Sequence, residues 1–441
     1  MVLSGAVAVL EARVVELEKL LEESRRSGKR QAAPFSKGVP SDEPAKPGRK
    51  SGRGHGRHGH RAVPVGPVDR ELSASLPGCC PGCGGEVAFE RDEDQVQVDL
   101  PPVGPVVTRF TVAVGRCASC HRRVQGRHPE QTSDALGAAG SQVGPAAKAW
   151  SAWLHYELGL SFGKCAKVLR RLGIEVTAGA LAQAAASIGE DLVPVQAEIT
   201  RRLNEAPVVT ADETGWRVGG KSAWLWVVTG ERMTAYNIAD GRGFEEACEI
   251  LDAAYPGVLV RDGWAPYHSY TAATHQSCAA HVMRRCKEMT EDNPAWARGT
   301  PRQVLDMFHD ALAARDLTPA DQAAVAADMI DRIEILHDDW AHPYDPNRRL
   351  VKHLYNERHA LFTFLTNPDV PATNWQAEQG VRPAVVNRKT YGGNRTWAGA
   401  ATQSRIMSAL RTATQQGIDA IDWLVGLARA PADAIPTLFT Q

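Results

Sequence analysis

Between residues 205 and 262 the order of apolar runs dictates a mixed sheet. Val208-Val209-Thr210-Ala211-Asp212 reads as a buried strand, Trp224 to Thr229 as a second and Thr234 to Ile238 as a third. A helix is expected at Phe244–Leu251, and Val258-Leu259-Val260-Arg261-Asp262 reads as a fourth strand. Three strands in meander, a helix, and a strand parallel to the first put Asp212 and Asp262 side by side at strand ends. Ligands in open α/β sheets collect beyond the carboxyl ends of the strands. Two carboxylates there are the minimum for holding Mg²⁺, a hard ion that takes oxygen ligands. A third acid from a helix would complete a two-metal clamp on an in-line phosphoryl displacement. Spacing does not select that acid: Glu357, Asp369 and Glu378 are all candidates. Strand-end aspartates are also common turn formers, so the pair alone does not establish a site.

This order is the opening of a ribonuclease-H-like fold. Residues 295–366 are strongly helical and interrupt it, and the β pattern does not return. Helices at Asn374–Asn387, Thr402–Gln416 and Ile418–Ala428 close the chain. The fold class is therefore α/β, a ribonuclease-H-like core over 205–429 with a helical insertion at about 290–370, followed by a tail over 430–441. Trp216, Trp224 and Trp226 are expected to pack in the core or on strand faces. Glu213 is expected on the sheet face opposite Asp212.

Four further segments precede this core. Residues 1–26 carry a heptad, with Leu3, Leu10 and Leu17 interleaved with Val7, Val14 and Leu21. Val at a and Leu at d favours a parallel two-stranded coiled coil, and hence a homodimer or higher oligomer. Residues 27–75 form a basic, flexible linker. Lys46, Arg49, Lys50, Arg53, Arg57 and Arg61 come with no acid among them, an arm suited to phosphates rather than to base sequence. Residues 76–130 hold two CxxC pairs, Cys80/Cys83 and Cys117/Cys120, flanking alternating runs at Asp94–Leu100 and Val106–Val114 that read as strands. Four thiolates suit one tetrahedral structural Zn²⁺ in a zinc ribbon, whereas a redox pair needs only one CxxC beside a βαβ unit. Residues 140–200 are helical. Ser161–Leu172, a turn at Gly173, and Thr177–Ile188 resemble a helix-turn-helix. The second helix is poor in residues able to reach base edges, and the basic residues Lys164, Lys167, Arg170 and Arg171 lie on the first.

The formal net charge is −1, so the basic signal is local to the linker. No apolar run is long enough to span a membrane, and Met1 to Leu10 lacks the features of a signal peptide. Nine cysteines fit reduced thiols or metal sites better than a disulfide framework, which suits a cytoplasmic protein.

The late motifs resemble a known family. Asp212-Glu213-Thr214-Gly215-Trp216 with Trp224-Leu225-Trp226 is similar to the first catalytic block of the insertion-sequence-sixty-six (IS66) transposases. Asp262-Gly263-Trp264-Ala265-Pro266-Tyr267 resembles the second block, and Cys278-Ala279-Ala280-His281-Val282-Met283-Arg284-Arg285 the segment after it. Asn374-Trp375-Gln376-Ala377-Glu378, continuing through Arg382-Pro383 to Arg388-Lys389, resembles the third. The heptad, basic linker and twin CxxC ribbon follow the family's order, so the resemblance covers nearly the whole chain. It implies a DDE transposase whose Asp212, Asp262 and Glu378 hold two Mg²⁺ (or Mn²⁺) ions and cleave and join DNA. Arg382, Arg388 and Lys389 would contact DNA at element ends and target, and accessory transposition proteins are possible partners. The sequence departs from the family at Trp375, usually a small or polar residue, and at Val385, where related enzymes carry a cation. Arg382 is the nearer cation and shares a helix face with Glu378. Cys278, His281 and Cys286 could suggest a further metal site, but on a helix His281 faces neither cysteine well. A DNA contact near the active site suits His281 better. The alternative to an enzyme is a zinc-ribbon DNA-binding protein with a catalytically inactive transposase core.

Overall fold

The computed structural model describes residues 66–101, 103–136, 141–338, 343–431 and 434–439. The heptad and the arm bearing Lys46, Arg49, Lys50 and Arg53 lie outside them. The chain divides into a unit ending at Val103 and a unit from Gly104 to Gln441. The described residues of the first unit form turns but neither helix nor strand.

The strands expected at Asp94–Leu100 and Val106–Val114 do not form. The second unit instead opens with a short antiparallel pair, β1 (Val114–Arg116) and β2 (Arg123–Gln125), around Cys117 and Cys120. Val96, Val98, Leu100, Val106 and Val107 are all exposed. Their alternation has the strand period, but a strand also needs a ladder partner and a covered face.

Helices follow at α1 (Pro145–Tyr156), α2 (Phe162–Arg171), α3 (Ala178–Asp191) and α4 (Val193–Glu205). Ser161 caps α2 by accepting the Lys164 N–H, and Thr177 caps α3 by accepting the Ala180 N–H at 3.2 Å. Between them Gly173 adopts φ +83°, where a side chain would be strained and would also meet Pro105. Leu154, Leu169, Val176 and Leu181 form a small core for this helical group. Lys164, Lys167, Arg170 and Arg171 stay on its exposed surface.

The sheet has five strands in the order β5-β4-β3-β6-β7. β3 (Val208–Val218) and β4 (Lys221–Thr229) are an antiparallel hairpin turning on Gly219-Gly220, both at positive φ, as a two-residue hairpin of this twist requires. β5 (Thr234–Ala239) completes the meander. The expected helix after it is a single turn, α5 (Phe244–Ala247). β6 (Val258–Arg261) then returns parallel to β3, and β7 (Thr274–Ser277) lies parallel to β6. β7 has no apolar signature: its sequence is Thr-His-Gln-Ser, and it is held by pairing with β6 and by Thr363, whose hydroxyl donates to the His275 carbonyl at 2.7 Å.

The helical insertion comprises α6 (Ala279–Asp292), α7 (Gly299–Ala313), α8 (Pro319–Asp338), α9 (Asp345–Glu357) and α10 (Thr363–Thr366). It packs on β6 around its own core, which includes Val260, Val282, Phe308, Ile333, Leu354 and Phe364. The chain then crosses back over the sheet as α11 (Trp375–Tyr391), followed by α12 (Trp397–Gln415) and α13 (Ala420–Arg429). Gly380 lets α11 approach β4, because a Cβ there would lie 3.2 Å from Val227, and the Tyr236 hydroxyl donates to its carbonyl at 2.8 Å. The result is a mixed α/β architecture with a helical majority. No helix among the described residues is long and apolar enough to cross a membrane.

Candidate active site

Asp212 does not end its strand, as the apolar run suggested. β3 continues for six residues beyond it, held by the hairpin with β4. What ends near Asp212 is the parallel ladder with β6, whose last pair is Thr210↔Val260. The two strands part there, and Asp262 follows immediately on β6. Each aspartate is fixed by a local hydrogen bond: the Glu213 N–H donates to Asp212 Oδ1 and the Trp264 N–H to Asp262 Oδ1, both at 2.9 Å.

Glu378 lies in the first turn of α11, where the helix dipole favours an acid. It reaches the same place. The Asp212 carboxyl is raised to about 7, first by burial and then by the charge of Glu213, with Asp262 and Glu378 pushing the same way; the Glu213 N–H opposes them. Acids from a strand, a strand end and a helix thus bear electrostatically on the Asp212 carboxyl. Repulsion of this kind is what a divalent cation relieves, so the donor set fits oxygen-seeking ions.

Glu213 is buried and engaged elsewhere. Arg242 Nε and Nη2 donate to its Oε1 at 2.9 and 2.6 Å, and the Tyr267 hydroxyl donates to Oε2 at 2.6 Å. Arg242 is itself stacked over Trp264 at 3.7 Å and Trp224 at 4.5 Å. Trp216 and Trp226 are buried in the sheet core.

The other late acids stand apart. Glu357, on α9, accepts from Arg261 Nη1 at 2.5 Å on one oxygen and lies 2.5 Å from His268 Nε2 on the other; the side chains of Arg261 and Glu357 are 2% and 3% exposed. Burial alone would raise the Glu357 carboxyl, but the Arg261 charge and hydrogen bond and His268 outweigh it and lower it. Arg261 Nη1 also donates to the Asp262 carbonyl at 3.1 Å. A Cβ at Gly263 would touch His353 of α9 at 2.9 Å. The insertion therefore buttresses the loop that carries Asp262. Asp369 is exposed, and its N–H donates to Asn367.

His281 takes a place that helix geometry on its own did not suggest. Its Nε2 is 3.7 Å from Glu378 Oε1, and Cys278, His281 and Glu378 each offer one ligand atom, all within 4.8 Å of one another. Cys278 pairs with His281 after all, through Glu378 on another helix. Cys286 is instead buried in the insertion core.

Of the expected DNA contacts, Arg382 and Lys389 are exposed on α11. Arg388 is partly buried and donates to the Gly215 carbonyl and the Thr214 hydroxyl, so it braces β3. The two CxxC loops have the same local form. The Cys80 N–H donates to the Gly85 carbonyl and the Gly84 N–H to the Cys80 carbonyl; Cys117, Arg122 and His121 repeat both bonds. The residue after each second cysteine, Gly84 or His121, has positive φ. In each loop backbone N–H groups face the first sulfur and lower its thiol: those of Gly82 and Cys83 at Cys80, and of Cys120 and Ser119 at Cys117.

A profile described as "Transposase IS66 family" matches residues 140–402. The match spans the helical group, the sheet, the insertion and α11. The chain is also 25% identical over 313 residues to a protein of Sinorhizobium fredii (strain NGR234) described as "Uncharacterized protein y4qI". That likeness covers 61% of this chain and 56% of the relative's length.

Proposed function

The chain belongs to the IS66 family of transposases, and from that premise we propose that it is a DDE-type enzyme, which binds element ends and cleaves and joins DNA strands at Asp212, Asp262 and Glu378. The sheet, with its meander and parallel returning strand, supports a ribonuclease-H-like core. The observation that carries the reading is that Asp262 and Glu378 both bear electrostatically on the Asp212 carboxyl. Two Mg²⁺ or Mn²⁺ ions would supply charge neutralisation for the attacking and leaving oxygens of an in-line displacement. The protein's own part is to hold the carboxylates still. Asp212 is anchored in the sheet, Asp262 by the Arg261–Glu357 bridge beneath its loop, and Glu378 by the first turn of α11. Exposed Arg382 and Lys389 would meet phosphates along α11, and the basic arm would add contacts that do not depend on sequence. The twin CxxC pattern and the shared form of its two loops support one structural Zn²⁺ on Cys80, Cys83, Cys117 and Cys120.

The test is incubation of the protein with its own element ends and Mg²⁺, with nicks and joined products mapped on a sequencing gel. Asp212→Asn, Asp262→Asn and Glu378→Gln should each abolish cleavage and joining together while DNA binding survives. Binding without any cleavage by the native protein would favour the DNA-binding alternative. Cleavage that persists in all three variants would refute the mechanism.

A further inference from the structure

We propose that Cys278, His281 and Glu378 form a site for one thiophilic divalent ion of the zinc class, and that this ion competes with the catalytic metals for Glu378. The competition rests on the assignment of Glu378 to the active site; the binding does not.

Cys278 is the N-cap residue of α6 and His281 lies in that helix's first turn, so both side chains can face one point. Glu378 meets them from the first turn of α11. Their ligand atoms lie within 4.8 Å of one another, close enough to close around an ion with small rotamer changes. Sulfur, imidazole nitrogen and carboxylate oxygen are the donors that Zn²⁺ accepts, and three protein ligands leave a position for water. Mg²⁺, which takes oxygen, would not select this set. The Cys278 sulfur also accepts the Asn374 N–H at 3.4 Å, while burial raises its thiol above the ordinary value, so the ion itself must displace the proton.

A second observation points to the same place. Asn374 is fully buried, yet neither polar atom of its amide has a partner, and His281 Nδ1 is likewise buried and unpaired. Buried polar atoms are ordinarily satisfied. Asn374 lies against the cluster: its N–H binds Cys278 Sγ, and its carbonyl accepts the Glu378 N–H at 3.1 Å. An ion with its water would bring partners to this corner. Binding at neutral pH would send the Cys278 thiol proton to solvent.

The experiment uses the full-length protein purified with its zinc retained. CoCl₂ is titrated without DNA or Mg²⁺, and the thiolate-to-cobalt charge-transfer band is followed in the near ultraviolet. The native protein should take one ion equivalent more than Cys278→Ser, with circular dichroism confirming that the variant is folded. His281→Gln, a change at a more exposed position, should weaken that binding by at least about tenfold, the loss seen even when only a residue behind a ligand is changed. Mg²⁺-dependent cleavage is then measured with added ZnCl₂, each protein normalised to its own zinc-free rate. Cys278→Ser should need about tenfold more zinc than the native protein for half inhibition. Equal cobalt binding in the native protein and both variants would overturn the site. Variants that lose cobalt binding but keep the native sensitivity to zinc would overturn the competition. An error in the catalytic assignment would show itself separately, as cleavage that survives Glu378→Gln.

Discussion

Glu357 and Glu378 are both late acids on helices, and neutralising each should have opposite consequences. Glu357→Gln removes a charge whose partner, Arg261, is 2% exposed and bonded at 2.5 Å. The guanidinium would remain buried without its counter-charge, a change that costs about 3–5 kcal/mol when one member of a buried pair is lost. His268, on the other carboxylate oxygen, is 48% exposed and can turn to water, so it adds little. Against a typical domain stability of about 5–15 kcal/mol that loss is large. Glu378 has a side chain 34% exposed among like charges. Glu378→Gln should therefore change stability by less than about 1 kcal/mol. The assay is urea unfolding of the native protein, Glu357→Gln, Glu378→Gln and Asp369→Ala, with strand cleavage measured well below each unfolding midpoint. Glu357→Gln should unfold early and cleave more slowly, but still cleave, while folded, because the support under the Asp262 loop is weakened; Glu378→Gln should unfold normally yet fail to cleave, and Asp369→Ala should change neither. If Glu357→Gln keeps native stability and loses cleavage while Glu378→Gln cleaves, Glu357 is the third acid and the reasoning from burial is wrong.

Three further outcomes are expected. Burial lowers the His155 imidazole to about 4, although its hydrogen bond to the Leu160 carbonyl opposes this. The folded protein thus resists a proton that the unfolded chain accepts, so stability is full above pH 6.5 and falls as pH drops towards 4, by up to about 3 kcal/mol; His155→Phe, stacked on Phe162 and Tyr391 as the imidazole is, should flatten that part of a pH–stability curve, and an unchanged slope would refute the assignment. Metal analysis should show one zinc per chain that is lost in Cys83→Ser but kept in Cys278→Ser, whereas a zinc-free protein with a protease-resistant segment at 76–130 would remove the zinc ribbon. Deleting residues 44–62 should weaken binding to all DNA sequences alike and flatten its salt dependence, and a loss confined to the element's own ends would mean that the arm reads sequence.

The apolar runs at 208–212, 224–229, 234–238 and 258–262 were enough to order four strands, because buried strands announce themselves by composition. Ser161, Gly173 and Thr177 marked the ends of α2 and α3, since caps and positive-φ turns depend on chemistry within a few residues. Membership of the family was equally legible in the blocks around Asp212, Asp262 and Glu378. Other features were decided only by contacts distant in sequence. β7, Thr-His-Gln-Ser, is a strand because β6 and Thr363 make it one. The runs at 94–100 and 106–114 alternate properly but form no strand where nothing covers them. The difference among Glu357, Asp369 and Glu378 is not in their spacing. It arises because the fold seats Arg261 against Glu357, leaves Asp369 in solvent, and lays α11 across β3 and β4 so that Glu378 faces Asp212 and His281. Local preference acts along the chain, whereas the meeting of charges is set by packing between segments that the sequence holds far apart.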